Sequence, residues 1–251
     1  MRVGVISTAP VKGFRLLHPD AVTLTPDGVV ENRRFMLADA EGRRLRSSLT
    51  PWPVLVRGGY DAASDRLRIE FPDGSVVEGS GAATGDPFEL DYHGRAVTVR
   101  RVDGDWTERF SQLAGHAVQL VRPESVGETM AEPVTLISDG SLARLEREAG
   151  RRVDARRFRM LLTLEGCAEH EEDTWRGRLL GVGETVLRVG GPVDRCAVTT
   201  RDPDTGERDL DTLRLIKGYR GVREGKHIDF GVYAAVKKPG RVRVGDSVEL
   251  L

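Results

Sequence analysis

A chain of 251 residues, 39% of them hydrophobic and 31% charged, has enough apolar material for one large domain or two modest ones. Its 38 Lys and Arg nearly balance 39 Asp and Glu, for a net charge of −1, which excludes the broad basic field of a nucleic-acid binder. No apolar run reaches bilayer length, Met1 to Ser7 reads as a first strand and not a signal peptide, and the expected location is the cytoplasm, with no membrane partner.

The first hundred residues read as short strands: Val3 to Ile6, Ala21 to Leu24, Arg34 to Leu37, Val54 to Val56, Leu67 to Phe71 and Val97 to Val102. Turns at Pro26-Asp27-Gly28, Glu41-Gly42 and Pro72-Asp73-Gly74 punctuate them, a spacing that favours a small barrel or sandwich over βαβ units. A helix is predicted over Trp106 to Ala114, with Asp105 as N-cap and Gly115 past its end. A second follows Ser138, with Leu142, Leu145 and Ala149 on one face and Gly150 as terminator. Strands return at Met160 to Leu164, Thr185 to Val189 and Gly231 to Val236. Arg241 to Val244 and Ser247 to Leu250 are expected to form a hairpin about Gly245-Asp246. The fold expected is α+β and predominantly β, with a domain boundary near 103–110 that divides the chain into 1–105 and 106–251.

Two cysteines, Cys167 and Cys196, make no disulfide framework and no CxxC cage. The histidines, at positions 18, 93, 116, 170 and 227, lack any metal-ligand spacing. Structural zinc is therefore not expected. The acidic stretch Glu169-His170-Glu171-Glu172-Asp173 lacks a calcium-loop spacing and reads as an exposed loop anchored by Trp175. Cys167 reads as a small buried hydrophobe. Cys196 follows Arg195 where an apolar strand meets a polar turn, a setting that can stabilise the thiolate, the form that binds metals and attacks electrophiles, with a small buried hydrophobe as the alternative reading.

Three segments carry cations that could converge on that thiol: Pro10 to Arg15 with Lys12, Glu31 to Leu37 with Arg33 and Arg34, and Asp154 to Arg159 with Arg156, Arg157 and Arg159. Placed at strand edges, alternate members could grip a phosphate or another oxyanion. The residues alone leave solvated surface charge as the alternative.

In order along the chain, Pro10-Val11-Lys12-Gly13, Asn32-Arg33-Arg34-Phe35-Met36-Leu37, Leu136-Ile137-Ser138 with Ser141-Leu142, Arg157-Phe158-Arg159, Glu172-Asp173 with Trp175, and Arg195-Cys196 through Thr199-Thr200, Asp202-Pro203 and Thr205-Gly206 form a recognisable set. With this set the chain resembles the MOSC family, in its two-part form that includes the amidoxime-reducing components. The resemblance implies a MOSC-type β-barrel preceded by an N-terminal β-barrel-like domain. It implies a molybdenum pyranopterin cofactor, with Cys196 as the metal's protein ligand and Lys12, Arg33, Arg159 and Arg195 contacting the pterin or its phosphate. A pterin dithiolene brings two sulfurs of its own, which suits a chain without a ligand cage. It further implies reduction of small N-hydroxylated (N–O) compounds with electrons from a separate ferredoxin or flavoprotein reductase; Asp202 lies close enough in the chain to Cys196 to be tested as a catalytic group. A sulfur or cofactor carrier with a persulfide on Cys196, and a cofactor-free binding domain, are the rival readings. The chain departs from the family pattern at Gly13, at Met160-Leu161 and at Asp194, which remove a hydroxyl and an amide and add a negative charge.

Overall fold

A computed structural model describes residues 1–46, 50–92, 94–128 and 131–251; His93 lies outside them. The strands are β1 (Arg2–Ile6), β2 (Ala21–Leu24), β3 (Met36–Asp39), β4 (Arg57–Asp61), β5 (Arg66–Glu70), β6 (Val76–Ser80), β7 (Thr84–Tyr92), β8 (Arg95–Arg101), β9 (Val118–Pro123), β10 (Val134–Ser138), β11 (Leu162–Glu165), β12 (Leu179–Val182), β13 (Thr185–Asp194), β14 (Asp229–Lys238), β15 (Gly240–Arg243) and β16 (Val248–Leu250). The helices are α1 (Trp106–Ala114), α2 (Asp139–Ala149) and α3 (Thr212–Arg220).

A seven-stranded sheet in the order β1-β11-β10-β14-β13-β12-β16 curls until its edges meet. Val3 N–H donates to Asp246 O at 2.9 Å, Gly245 N–H to Val3 O at 2.8 Å and Val248 N–H to Met1 O at 2.9 Å, so the sheet is nearly a closed barrel and its edges are covered. Alternate inward residues fill it, among them Val3, Ile6, Leu136, Leu162, Leu164, Leu187 and Val232, with Trp175 at one end. The other lobe joins a four-stranded sheet, β3-β9-β8-β7, to a three-stranded one, β4-β5-β6. Between them α1 buries Trp106 and Phe110, the latter against Phe14 (ring centroids 5.7 Å) and Phe71 (5.6 Å). Pairing runs across residue 105 in both directions. Strands β1 and β2 hydrogen-bond to β11 and β15, while β9 pairs with β3 and β8.

Helices α1 and α2 stand where the periodicity placed them, and Gly115 (φ 73°) and Gly150 (φ 63°) end them in the left-handed conformation. Several expectations are corrected. Asp105 makes no side-chain cap. Val54 to Val56 is not a strand: Trp52–Leu55 is a 3₁₀ turn, with Pro51 and Pro53 denying the ladder its donors. The 241–250 hairpin does not form. A turn at Gly245 (φ 91°) sends β15 to β2 and β16 to β12, because each strand finds its buried neighbour across the barrel. The acidic loop is also not wholly exposed. Glu172 is fully buried, accepting from Ser138 Oγ and Ser141 Oγ, both at 2.6 Å, and thereby pins the start of α2, whose N-cap is Ser138.

Candidate functional site: a cationic cavity beside Cys196

Four backbone segments meet between the lobes. Lys12 follows β1 and is fixed by its N–H donating to Phe35 O at 2.8 Å. Arg33 precedes β3, its N–H donating to Ala9 O at 2.7 Å. Arg159 ends a 3₁₀ turn over Ala155–Phe158, and Arg195 follows β13. Arg33 (φ 54°) and Arg159 (φ 52°) are both left-handed, a conformation that costs a non-glycine residue about 1 kcal/mol and clusters at functional sites. These cations therefore project from turns, not from strand edges, and the strand-alternation expectation does not apply to them. Arg33 and Arg34 still diverge: Arg34 turns away to donate to Pro123 O at 2.7 Å.

Lys12, Arg33, Arg159 and Arg195 line one cavity of about 560 Å³, together with Tyr92, Arg95, Glu132, Thr135, Phe158, Met160 and Tyr233. The guanidiniums brace one another through carbonyls. Arg33 Nη2 donates to Arg159 O at 2.7 Å, and Arg159 Nη2 to Phe14 O at 2.6 Å. Arg195 donates to Phe230 O at 2.7 Å through Nε, to Phe158 O at 3.0 Å through Nη1, and to Met160 Sδ at 2.7 Å through Nη2. Among the described residues, no carboxylate lies within ion-pair distance of Arg33, Arg159 or Arg195.

That lack of counter-charge shows in the electrostatics. Burial, reinforced by Arg33, lowers Arg159 to about 9, and burial lowers Arg195 to about 10. Lys12 is held well below its ordinary value, first by burial and then by Arg33 and Arg44. A guanidinium stays protonated in proteins, so these depressions reflect the cost of holding charge away from solvent in the cavity wall. An anion bound there would supply what the walls do not. Tyr233 is raised by burial and stays a neutral hydrogen-bonding phenol.

Cys196 is exposed at the start of the 3₁₀ turn Ala197–Thr200, and its thiol interacts electrostatically with Lys12, Arg44, Arg195 and Tyr233. Cys167 lies elsewhere, half-buried against the barrel core, its thiol pushed up to about 12 by burial and by Asp139. Asp202 is not brought into the cavity. It lines a smaller neighbouring hollow with Gly13, Arg156 and Arg157, and its Oδ1 accepts from the N–H groups of Asp204 and Thr205, both at 2.9 Å.

The departures at Asp194 and Gly13 also have local explanations. Asp194 turns to the loop before β14, with His227 Nδ1 at 2.8 Å and Ile228 N–H at 2.9 Å. Gly13 has φ 98°, a conformation that suits glycine. Sequence reasoning missed Tyr92, Tyr233, Thr135, Arg44 and Arg95. Only Tyr233 lay in a predicted strand, and nothing local marks the others. Among the described residues, no group of three or more His, Cys, Asp or Glu side chains could hold a metal ion, and no helix is long and apolar enough to cross a membrane.

Two family models match the chain: the MOSC domain over residues 102–249 and the MOSC N-terminal beta barrel domain over residues 1–114. Mitochondrial amidoxime-reducing component 1 of Mus musculus is 28% identical, across 96% of this chain and 80% of that protein. Mitochondrial amidoxime reducing component 2 of Bos taurus is 36% identical, across 98% and 83%. Component 1 of Homo sapiens is 34% identical, across 89% and 74%.

Proposed function

The chain belongs to the MOSC family, and from that premise we propose that it is a molybdenum-cofactor-dependent reductase of N-hydroxylated compounds, served by a separate electron donor. The observation that carries the reading is a cavity lined by Lys12 and by three half-buried arginines, Arg33, Arg159 and Arg195, that have no carboxylate within ion-pair distance among the described residues, with an exposed thiol close enough to act electrostatically on Lys12 and Arg195. These residues fit a pyranopterin bearing a phosphate. Lys12, Arg33, Arg159 and Arg195 would hold the anionic end, and Cys196 would be the protein's single soft ligand. Bound there, the cofactor supplies two-electron redox chemistry.

The chain's own residues do the rest. Arg195, anchored on Phe158, Met160 and Phe230, fixes the backbone that presents Cys196. Tyr233 can donate a hydrogen bond from the wall. The reaction balances as R–NHOH + 2e⁻ + 2H⁺ → R–NH₂ + H₂O, with electrons from a ferredoxin or flavoprotein reductase. No step is assigned to Asp202, since the turn at Asp204 and Thr205 occupies its carboxylate.

Protein purified from cells that make the cofactor should carry molybdenum by mass spectrometry and reduce benzamidoxime once a donor is added. Cys196→Ala should lose both. No metal in the wild type, or equal metal and turnover in the variant, overturns the reading; turnover with NADH and the chain alone removes the separate donor. The exposure of Cys196 also favours sulfur carriage, for which the signature is a persulfide on Cys196 with no turnover of any N–O compound.

A further inference from the structure

The cavity holds more positive charge than one phosphate needs, and the surplus has its own place. Beyond the cations assigned to the cofactor stand Arg44 and Arg95, both gathered on one aromatic ring. Tyr92, only 4% exposed at the end of β7, has Lys12 Nζ 4.4 Å, Arg44 Cζ 4.9 Å and Arg95 Cζ 6.0 Å from its ring centroid. Cation–π contacts of this kind hold side chains in place without neutralising them. Among the described residues, neither Arg44 nor Arg95 is within ion-pair distance of a carboxylate. The acids nearby are Glu132 on the cavity wall, Glu128, whose backbone oxygen accepts from Arg95 Nη2 at 3.3 Å, and Asp91, which acts on Arg44 from a distance. Arg44 also feels the thiol of Cys196, which puts this guanidinium within electrostatic reach of that residue. In the same lobe Arg43, Arg66, Arg68 and Arg100 are each paired to a carboxylate, and what sets Arg44 and Arg95 apart from arginines there that have no ion pair among the described residues, such as Arg57 and Arg101, is the shared Tyr92 ring.

We propose that Arg44 and Arg95, steadied on Tyr92, form a second anion site at the cavity's outer side, and that the substrates are N-hydroxylated compounds carrying a carboxylate or phosphate group. This rests on the reductase reading given above. The buried set takes the cofactor's phosphate, while the Tyr92 set takes the substrate's anionic end and so orients its N–O group toward Cys196. A planar guanidinium pair suits both oxyanions, through bidentate contacts.

The test compares benzamidoxime with its 4-carboxy and 4-phosphono derivatives on the holoprotein with a chemical electron donor. KM for an anionic derivative is expected about 10-fold below that for benzamidoxime at low ionic strength, shrinking as salt rises. Arg44→Gln with Arg95→Gln should bring the ratio of the two KM values close to one. Whichever derivative is preferred identifies carboxylate or phosphate as the natural group. A ratio near one in the wild type, or a preference that survives the double substitution, overturns the proposal. Calorimetry on Cys196→Ser protein separates the two ideas. If the wild type reduces no N–O compound, the reductase reading falls; tighter binding of the 4-carboxy derivative than of benzamidoxime, abolished by the two arginine substitutions, would still uphold the anion site, and equal binding would sink it.

Discussion

Two arginine-rich hollows share Arg159, and the arginines around them are held in two different ways. On the side of the smaller, Arg156, Arg157 and the nearby Arg15 have carboxylate partners. Arg156 reaches Asp154 and Asp204, both at 2.6 Å, and Arg15 reaches Asp204 at 2.9 Å. Arg157, 4% exposed at its side chain, donates to both oxygens of Asp209 at 2.7 Å. Arg159, which lines both hollows, donates to the Phe14 carbonyl where Arg157 donates to a carboxylate, although only Phe158 separates them. The 3₁₀ turn at Ala155–Phe158 accounts for the split, because the left-handed φ at Arg159 throws its side chain across the seam. A paired guanidinium holds the fold; an unpaired one is poised for something absent from the chain.

The largest expected effect breaks the paired side. Arg157→Ala should cost about 2 kcal/mol in denaturant unfolding, since it removes both hydrogen bonds to Asp209 and opens a hole behind it, while the partly exposed carboxylate keeps Arg151 at 2.8 Å. Arg159→Gln should do the opposite to the apo protein. Removing a buried cation without a counter-ion should raise its stability by about 1 kcal/mol, while molybdenum retention falls about 10-fold. If the two substitutions destabilise equally, the distinction between the hollows is wrong.

Acid and alkali should separate them as well. Asp209 sits below its ordinary value of 3.8 because Arg157 hydrogen-bonds its ionised form. Its contribution is fully present above about pH 4 and is lost as pH falls through 3.8 toward the folded value. Lys12 is depressed from 10.5, so between its folded value and 10.5 the unfolded chain binds the extra proton and apo stability rises with pH. Melting temperature against pH should show both windows. Asp209→Asn should flatten the acid one and Lys12→Met the alkaline one.

What the sequence disclosed follows from what is local. Helices α1 and α2, with their glycine stops, and most barrel strands are written in short-range periodicity. That the segments carrying Lys12, Arg33 and Arg159 could converge on Cys196 was open from the residues, but the particular set with Arg195 was named through resemblance, since their spacing spans most of the chain. Helix α3 was missed even though Asp211 caps it by accepting from Arg214 N–H at 3.0 Å. Lys217, Gly218 and Arg220 dilute its apolar stripe, leaving Ile216 as its fully buried aliphatic residue. The false hairpin at 241–250 came from reading alternation as pairing: each strand has one buried face, but the partner lies far away in sequence. Glu172 looked like loop charge, because nothing near it announces that Ser138 and Ser141 will satisfy it.

The seam between the hollows offers the smallest and most discriminating test. Lys12 lines the larger cavity and Gly13 the smaller, so one peptide separates the two regimes. On sequence alone, Gly13 looked like a lost hydroxyl. Its φ of 98° gives a different account, because the chain must turn back here for Phe14 to bury its ring and for Phe14 O to accept from Arg159. A side chain in that conformation costs about 1 kcal/mol. Gly13→Ser should therefore lower unfolding stability by about that amount and leave molybdenum content no higher. A gain in metal at unchanged stability would mean that the hydroxyl, and not the turn, is what this position lacks.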